Sequence, residues 1–257
     1  MTYSTNNRNI VMSVKNALRI LKLYRDDRTE LGITEMATYL SLPKSTVHRL
    51  VQELVKEGLL LKRTKINKYS LGLTILSLGG IVQIQHELYK EAEPIIQQLS
   101  EKFGNVANLC LIENKKIVYL LRHIPEVETE ITTATGFTKD IHCTAEGQAI
   151  LAFQHPLFIE QFVSQPLKQY TAYTHTGMKL QQQLDKVYQQ GYAITESTYV
   201  LGYTSFAAPI RDYTGAVVSS VALIAHDNQI DKKDYPVIYL ALKKAANEIS
   251  KLLGYYH

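Results

Sequence analysis

Apolar residues recur along this chain with two periods, helical at first and then strand-like, and the alternation predicts most of its elements. Between Val11 and Tyr24, Val14, Ala17, Leu18 and Leu21 fall at helical spacing, while Lys15, Arg19, Lys22 and Arg25 lie off that stripe, so the segment predicts an amphipathic helix. After a polar break, Asp26 to Gly32, a short helix is expected from Thr34 to Leu40, with Met36, Ala37 and Leu40 inward. The turn Ser41-Leu42 leads to Pro43, whose fixed φ and missing N–H suit the first turn of a third helix. From Pro43 to Glu57, Val47, Leu50, Val51, Leu54 and Val55 make an i, i+3, i+4, i+7, i+8 stripe, and Gly58 stands where a helix commonly ends in a left-handed residue. Leu59 to Arg63 and Asn67 to Leu71 have strand length and pattern around a turn at Thr64, Lys65 and Ile66, which predicts a hairpin.

Beyond the hairpin, Leu73 to Gln85 is apolar on too much of its circumference for a lone linker helix, so it is expected to pack on another chain or on the first domain. A polar helix follows, with Pro94 marking a fresh start and Ile95, Ile96 and Leu99 inward. The remainder reads as α+β. Val106 to Ile112 and Lys116 to Arg122 are strand-like runs, and Thr129 to Thr135 is expected as a third strand. Helices are predicted at Ala145 to Phe153, Leu157 to Val163 and Lys179 to Gln190, strands at Tyr192 to Glu196, Ser205 to Arg211 and Val217 to Ala225, and a closing helix at Asp234 to Leu253. These periods divide the 257 residues into a disordered N-terminus at 1–9, a first domain at 10–72, a linker helix at 73–85 and a second domain at 86–257.

Charge sharpens the division. Residues 1–70 hold 13 Lys and Arg against six Asp and Glu, a surplus of seven, so the rest of a chain of net charge +4 carries −3. A basic unit ahead of a mildly acidic one suggests that the first meets a polyanion. With 46% apolar residues the chain can bury a core, and it has no run near the roughly 18 apolar residues that span a bilayer, so a cytoplasmic protein without a membrane partner is expected. Cys110 and Cys143 form no metal-spaced pair and read as reduced, structural thiols.

The third helix carries the chemistry of the first domain. Opposite its apolar stripe it presents Lys44, Ser45, Thr46, His48, Arg49 and Gln52, donors suited to phosphate oxygens and base edges, and the hairpin tip adds Lys62, Arg63, Lys65 and Lys68. An isolated basic helix face is usually just solvated, and His48 has the plainer reading of packing on a neighbour. Helix, hairpin and charge surplus agree, however, on a winged helix-turn-helix bound to double-stranded DNA.

Two further stretches extend this reading. The run Leu42-Pro-Lys-Ser-Thr-Val-His-Arg-Leu50, its spacing to Glu57-Gly58, and Tyr69-Ser-Leu-Gly-Leu73 closely resemble the winged-helix domain of IclR-type transcriptional regulators. His142-Cys-Thr-Ala-Glu-Gly-Gln-Ala-Ile-Leu-Ala152 resembles a motif of that family's second domain, and Gly191-Tyr192 and Ala207-Ala-Pro-Ile210 fit its later strands, so the likeness covers residues 10 to 254. The resemblance implies an α+β protein whose winged helix-turn-helix is joined by a linker helix to a GAF-like or profilin-like antiparallel-sheet effector domain. It also implies a homodimer or homotetramer that binds an operator and responds to a small metabolite, with no catalytic residue, cofactor or metal.

By matching motifs, the effector pocket would be lined by Ala145, Glu146, Thr195, Tyr203, Ser205, Ala222 and Ile224. Here the chain departs from the family: Glu146 stands where a small or apolar residue is usual, Ser205 replaces a common cysteine, and Ala222 and Ile224 replace a Ser-x-Ser pair. Fewer hydroxyls and a buried carboxylate argue for a larger, less anionic or partly cationic ligand, with Glu146 and Tyr203 as polar contacts. Equally, Glu146 in the first turn of its helix could face water, where the helix dipole favours a carboxylate. A metal held by His142, Cys143 and Glu146, or a nucleophilic Cys143, is the poorer reading of residues that commonly serve as a hydrogen-bonded histidine and a buried thiol. The function expected is a DNA-binding repressor controlled by a metabolite. Its rival from another class is a small-molecule enzyme or binding protein whose helix-turn-helix only dimerises.

Overall fold

The computed structural model describes residues 3–24, 28–85, 87–113, 115–125 and 138–256, without the side chains of residues 3–10 and 82–87. The chain divides into two units, Met1–Gln85 and His86–His257.

In the first unit, α1 (Tyr3–Leu21), α2 (Ile33–Leu40) and α3 (Lys44–Lys56) precede the hairpin β1 (Leu60–Arg63) and β2 (Lys68–Leu71), and α4 (Leu73–Gln85) follows. Helix α1 begins at Tyr3, inside the stretch 1–9 expected to be disordered, of which residues 1–2 lie outside the described residues. The polar run ahead of Val11 contains no glycine or proline, so nothing stops the helix from extending through it. Leu31 adds a bridge to the hairpin, its N–H and carbonyl both bonded to Tyr69 at 3.0 and 2.8 Å. Ile20, Leu31, Met36, Val47, Val51, Leu60 and Tyr69 are buried together, so one core holds three helices and the base of the hairpin. Gly58 takes φ +70° directly after Glu57, the C-cap of α3, the left-handed turn its position predicts.

The second unit is built on a six-stranded antiparallel sheet. Its strands are β3 (Val106–Glu113), β4 (Lys116–His123), β5 (Thr138–Asp140), β6 (Ala193–Glu196), β7 (Tyr203–Arg211) and β8 (Val217–His226), in the spatial order β5-β4-β3-β8-β7-β6. The third strand expected at Thr129 to Thr135 lies outside the described residues; β5 pairs with β4 on the side away from β3. Helices α5 (Glu87–Phe103) and α9 (Tyr235–Leu252) cover one face, packing Ile96, Leu99, Leu242 and Ile249 on Leu109, Phe206, Val221 and Leu223. Helix α5 runs unbroken through Pro94, where a fresh start was expected. Pro94 is exposed, so water can serve the carbonyl that its missing N–H leaves without a partner.

On the opposite face lie α6 (Ala145–Leu151), α7 (Pro156–Val163) and α8 (Gly177–Gln190), with Ala149, Leu151, Phe162, Leu180 and Leu184 against Cys110, Ile117, Tyr119, Ala207 and Ala222. Helix α6 is buried along its whole length. It begins at Thr144, whose hydroxyl accepts the Gly147 N–H at 3.1 Å, and at Gly147 its backbone meets that of Ile141 so closely that a β-carbon would collide with the Ile141 carbonyl. That close approach holds the first turn of α6, and with it Glu146, against the turn that follows β5.

Candidate functional site

The turn before α3 determines what that helix exposes. Ser41 adopts φ +53° and its N–H bonds back to Ala37 and Thr38, while Pro43 stays extended, at ψ 139°, as the cap. The helix therefore starts at Lys44, one residue later than predicted, and its first N–H groups point out of the helix end without intrahelical acceptors. Lys44, Ser45, His48 and Arg49 are exposed and Thr46 is half-buried, while Val47, Leu50, Val51 and Leu54 are inside. His48 thus sits on the polar face and not in the packing.

The hairpin cations fall into two pairs. Lys62 and Lys65 are exposed, and among the described residues no hydrogen bond or ion pair engages their side chains or those of Lys44 and Arg49. Arg63 instead approaches Glu30 at 3.8 Å, and Lys68 lies 3.4 Å from Glu35. Glu35 also accepts the Gly32 N–H at 2.7 Å, which, with Lys68 nearby, holds its carboxyl below the usual range against the opposing effect of desolvation. Lys68 therefore helps fasten the hairpin to the start of α2.

In the second unit, the structure surrounds Glu146 with polar groups that the sequence pattern does not single out. Glu146 is 0% exposed, which overturns the reading that it faces water. Tyr119 on β4 donates its hydroxyl to Glu146 Oε1 at 3.3 Å, and Oε2 has no partner among the described residues. Burial pushes the Glu146 carboxyl above its ordinary range, and Lys139 on β5 pulls it back in part. Burial lowers the Lys139 ammonium in turn, opposed by Glu146. The ammonium lies 4.4 Å from the ring centre of Tyr199 and 5.4 Å from that of Tyr119. Asn108, two residues from Cys110 on the same face of β3, is fully buried with neither end of its amide bonded among the described residues. Each such orphan costs about 1–3 kcal/mol, so a ligand or water that met it would be stabilised there.

The pocket residues taken from the motifs do not all converge on this cluster. Ala145 and Ala222 are buried in the core that also contains Cys110 and Tyr119. Strand register places Ala222 between Asn108 and Ala207, and puts Thr195, Ser205 and Ile224 in the neighbouring row. Tyr203 stands edge-on to His226 at 5.0 Å, at the end of its strand. Thr195 lines a different hollow of about 580 Å³ around the free edge of β6, shared with Tyr173, Glu196, Thr204, Asp227 and Tyr235.

His142 and Cys143 are buried. The imidazole Nε2 meets the Lys168 carbonyl at 2.9 Å and the thiol the Asp140 carbonyl at 3.1 Å. Burial first, and Asp140 second, push the Cys143 thiol up to about 12, which keeps it protonated and unreactive at neutral pH. Among the described residues no group of three or more His, Cys, Asp or Glu is placed to hold a metal ion, and no helix is long and apolar enough to cross a membrane.

A basic three-helix-and-hairpin unit joined to an α+β unit with a buried polar cluster defines a DNA-binding regulator with a ligand-sensing domain. The chain belongs to the IclR family of bacterial transcriptional regulators. The IclR helix-turn-helix domain matches residues 13–63, and the bacterial transcriptional regulator IclR C-terminal domain matches residues 82–251. Among curated relatives, the HTH-type transcriptional regulator XynR of Escherichia coli K12 is 25% identical over 250 residues, covering 96% of this chain and 98% of that protein. KdgR of Dickeya chrysanthemi is 27% identical over 248 residues, 96% of this chain and 81% of its own. An IclR regulator from Alicyclobacillus acidocaldarius superposes with a TM-score of 0.84 at 24% identity, covering 94% of this chain and 98% of the other. An IclR homolog from Microbacterium hydrocarbonoxydans, solved with 4-hydroxybenzoate, superposes at 0.79 with 23% identity over the same shares. The chain is thus a transcriptional regulator with a helix-turn-helix domain and an effector-binding C-terminal domain, in a family of regulators and not of enzymes.

Proposed function

We propose that this protein is a cytoplasmic repressor that places α3 in the major groove of an operator and releases or repositions it when a small metabolite occupies the second unit. The observation that carries the reading is the division of α3 into a buried stripe and an exposed face of Lys44, Ser45, Thr46, His48 and Arg49, ahead of a hairpin with Lys62 and Lys65 unengaged. A helix N-terminus with free N–H groups and a lysine is suited to a phosphate, and Arg49, one turn on, can reach a base edge or a second phosphate. Lys62 and Lys65 supply contacts from the wing, and Arg63 and Lys68 do so only by loosening Glu30 and Glu35.

The effector is assigned to the cluster under α6, with Glu146, Ala145 and Ala222 from the motif-derived set and Tyr119, Asn108 and Lys139 added by the fold. The 4-hydroxybenzoate held by the Microbacterium relative supports a small organic acid as the kind of ligand. On α4, Leu73, Leu76, Leu78 and Ile81 are more than half exposed, an apolar surface suited to a second copy of the chain, so the working form is a homodimer or homotetramer.

Selection from a random DNA pool with the purified full-length protein, at two salt concentrations, tests the reading. A pseudo-palindromic site whose affinity falls steeply with salt is expected. Absence of any enriched sequence at either salt, with and without candidate acids, would favour the rival in which the first unit only dimerises.

A further inference from the structure

Strand β6 is the last of its sheet, with β7 on one side and no described strand on the other. The Ser197 N–H bonds the Tyr203 carbonyl at 2.8 Å and Thr195 stands opposite Ser205, so alternation along the strand turns the N–H and C=O of Ile194 and Glu196 away from β7. Gln183 on α8 donates to the Ile194 carbonyl at 3.3 Å, as the N–H of a neighbouring strand would. The hollow of about 580 Å³ follows this edge, with residues 194–198 all along its wall. Ile194 and Glu196 pair with Phe206 and Thr204, on the face that α9 covers through Tyr235, so this part of the hollow lies on the side of the sheet opposite α6. The side chains there are also selective. Ile194 and Ile230 are half-buried in the wall, and Glu196 and Asp227 bring two carboxylates to it. Among the described residues Lys232 is the one lysine lining it, 3.2 Å from Glu196 with a side chain 79% exposed. Burial, with Lys179 and Lys186, holds the His175 imidazole below its usual value, so at neutral pH it adds no charge and the lining stays acidic.

We propose that the outer edge of β6 receives an extended segment of a partner protein as a further strand, with an apolar residue beside Ile194 and, two residues along, a lysine or arginine beside Glu196. Main-chain bonds to Ile194 and Glu196 supply the attraction, and the incoming cation takes the place of Lys232, whose exposed side chain gives way at little cost. Alternation puts both side chains on one face of the added strand, so spacing and charge together select the segment. The inference adds a protein partner to the proposed repressor and depends neither on its effector nor on its operator.

The probe is a fluorescein-labelled peptide, Thr-Val-Thr-Lys-Thr-Val-Thr, which presents the required spacing in either strand direction, titrated with the full-length protein and followed by anisotropy. It is expected to bind about fivefold or more tighter than the same peptide with Glu in place of Lys, since a like charge opposite Glu196 is unfavourable. Glu196→Lys should invert that preference, and Glu196→Gln should remove most of it. Methylation of the peptide nitrogens separates strand addition from capture of a lone side chain. Methylating those of Val and Lys blocks an antiparallel strand and methylating those of Thr a parallel one, so one set alone should abolish binding. Equal binding by both methylated sets, a preference that Glu196→Lys leaves unchanged, or no binding at about 1 mM peptide would overturn the proposal. So would a peptide affinity that falls as the protein is concentrated, because a second copy of the chain would then hold the edge.

Discussion

Lys62 and Lys68 lie close together in sequence with the same charge, yet the fold gives them different work. Lys62 projects into solvent, whereas Lys68 is held 3.4 Å from a glutamate that also caps α2. Replacing Lys62 or Lys65 by alanine is expected to reduce the salt slope of operator binding by about one unit for each phosphate that the side chain neutralises. Lys68→Ala should change the slope by less than half as much, measured by fluorescence anisotropy across a salt series. At Glu146 the sign of a pH effect follows from its raised carboxyl. The stability that its neutral form contributes is fully present below the ordinary value of about 4.5 and is lost as pH rises through the higher folded-state value. Ligand-free Glu146→Gln should therefore gain stability over the parent as pH rises above about 4.5, with the difference levelling off beyond the folded-state value in urea titrations. A difference that shrinks with pH would show the carboxyl to be stabilised as an anion.

Helices α3 and α6 differ in how much of them the sequence makes legible. In α3 one stripe is apolar and the other face polar, so periodicity alone assigns Val47, Leu50, Val51 and Leu54 to the core and Lys44, Ser45, His48 and Arg49 to the surface. Helix α6 is buried all round, and periodicity has nothing to say about a helix with no wet face, so whether Glu146 points to water or to the sheet is not encoded locally. Its partners lie 27 residues upstream on β4 and just before the motif on β5, and only strand pairing brings them together. Strand alternation does mark Tyr119 as inward, but Lys139 is a buried lysine, which composition rules assign to the surface. The close approach of α6 to Ile141, just past β5, also yields a stability test. Gly147→Ala drives a methyl into the Ile141 backbone and should cost about 3 kcal/mol, lowering the melting temperature of the second unit by roughly 6–12 °C. A shift below about 2 °C would show that α6 can move away from Ile141 freely.

Over the whole chain, the two units divide the labour that the charge asymmetry suggests: a basic one with an exposed donor helix and a mildly acidic one with a buried polar cluster. The family match and the near-full-length relatives fix the class of protein, while its operator, its effector and its assembly rest on the residues themselves. Assembly through α4 predicts that Leu76→Glu raises the dimer dissociation constant by about 100-fold, or about 2.7 kcal/mol, in sedimentation experiments. An unchanged association state would move the interface elsewhere. Contact between the exposed face of α3 and DNA is tested by the affinity of the selected operator for the parent and for Arg49→Ala as a function of salt. If Arg49 contacts a phosphate, its removal should weaken binding and make the slope of log K against log salt shallower by about one. If it reads a base, the parallel outcome is a loss of roughly 1–3 kcal/mol confined to one operator position. Superimposable salt titrations together with an unaltered sequence preference would show that this face of α3 does not meet DNA.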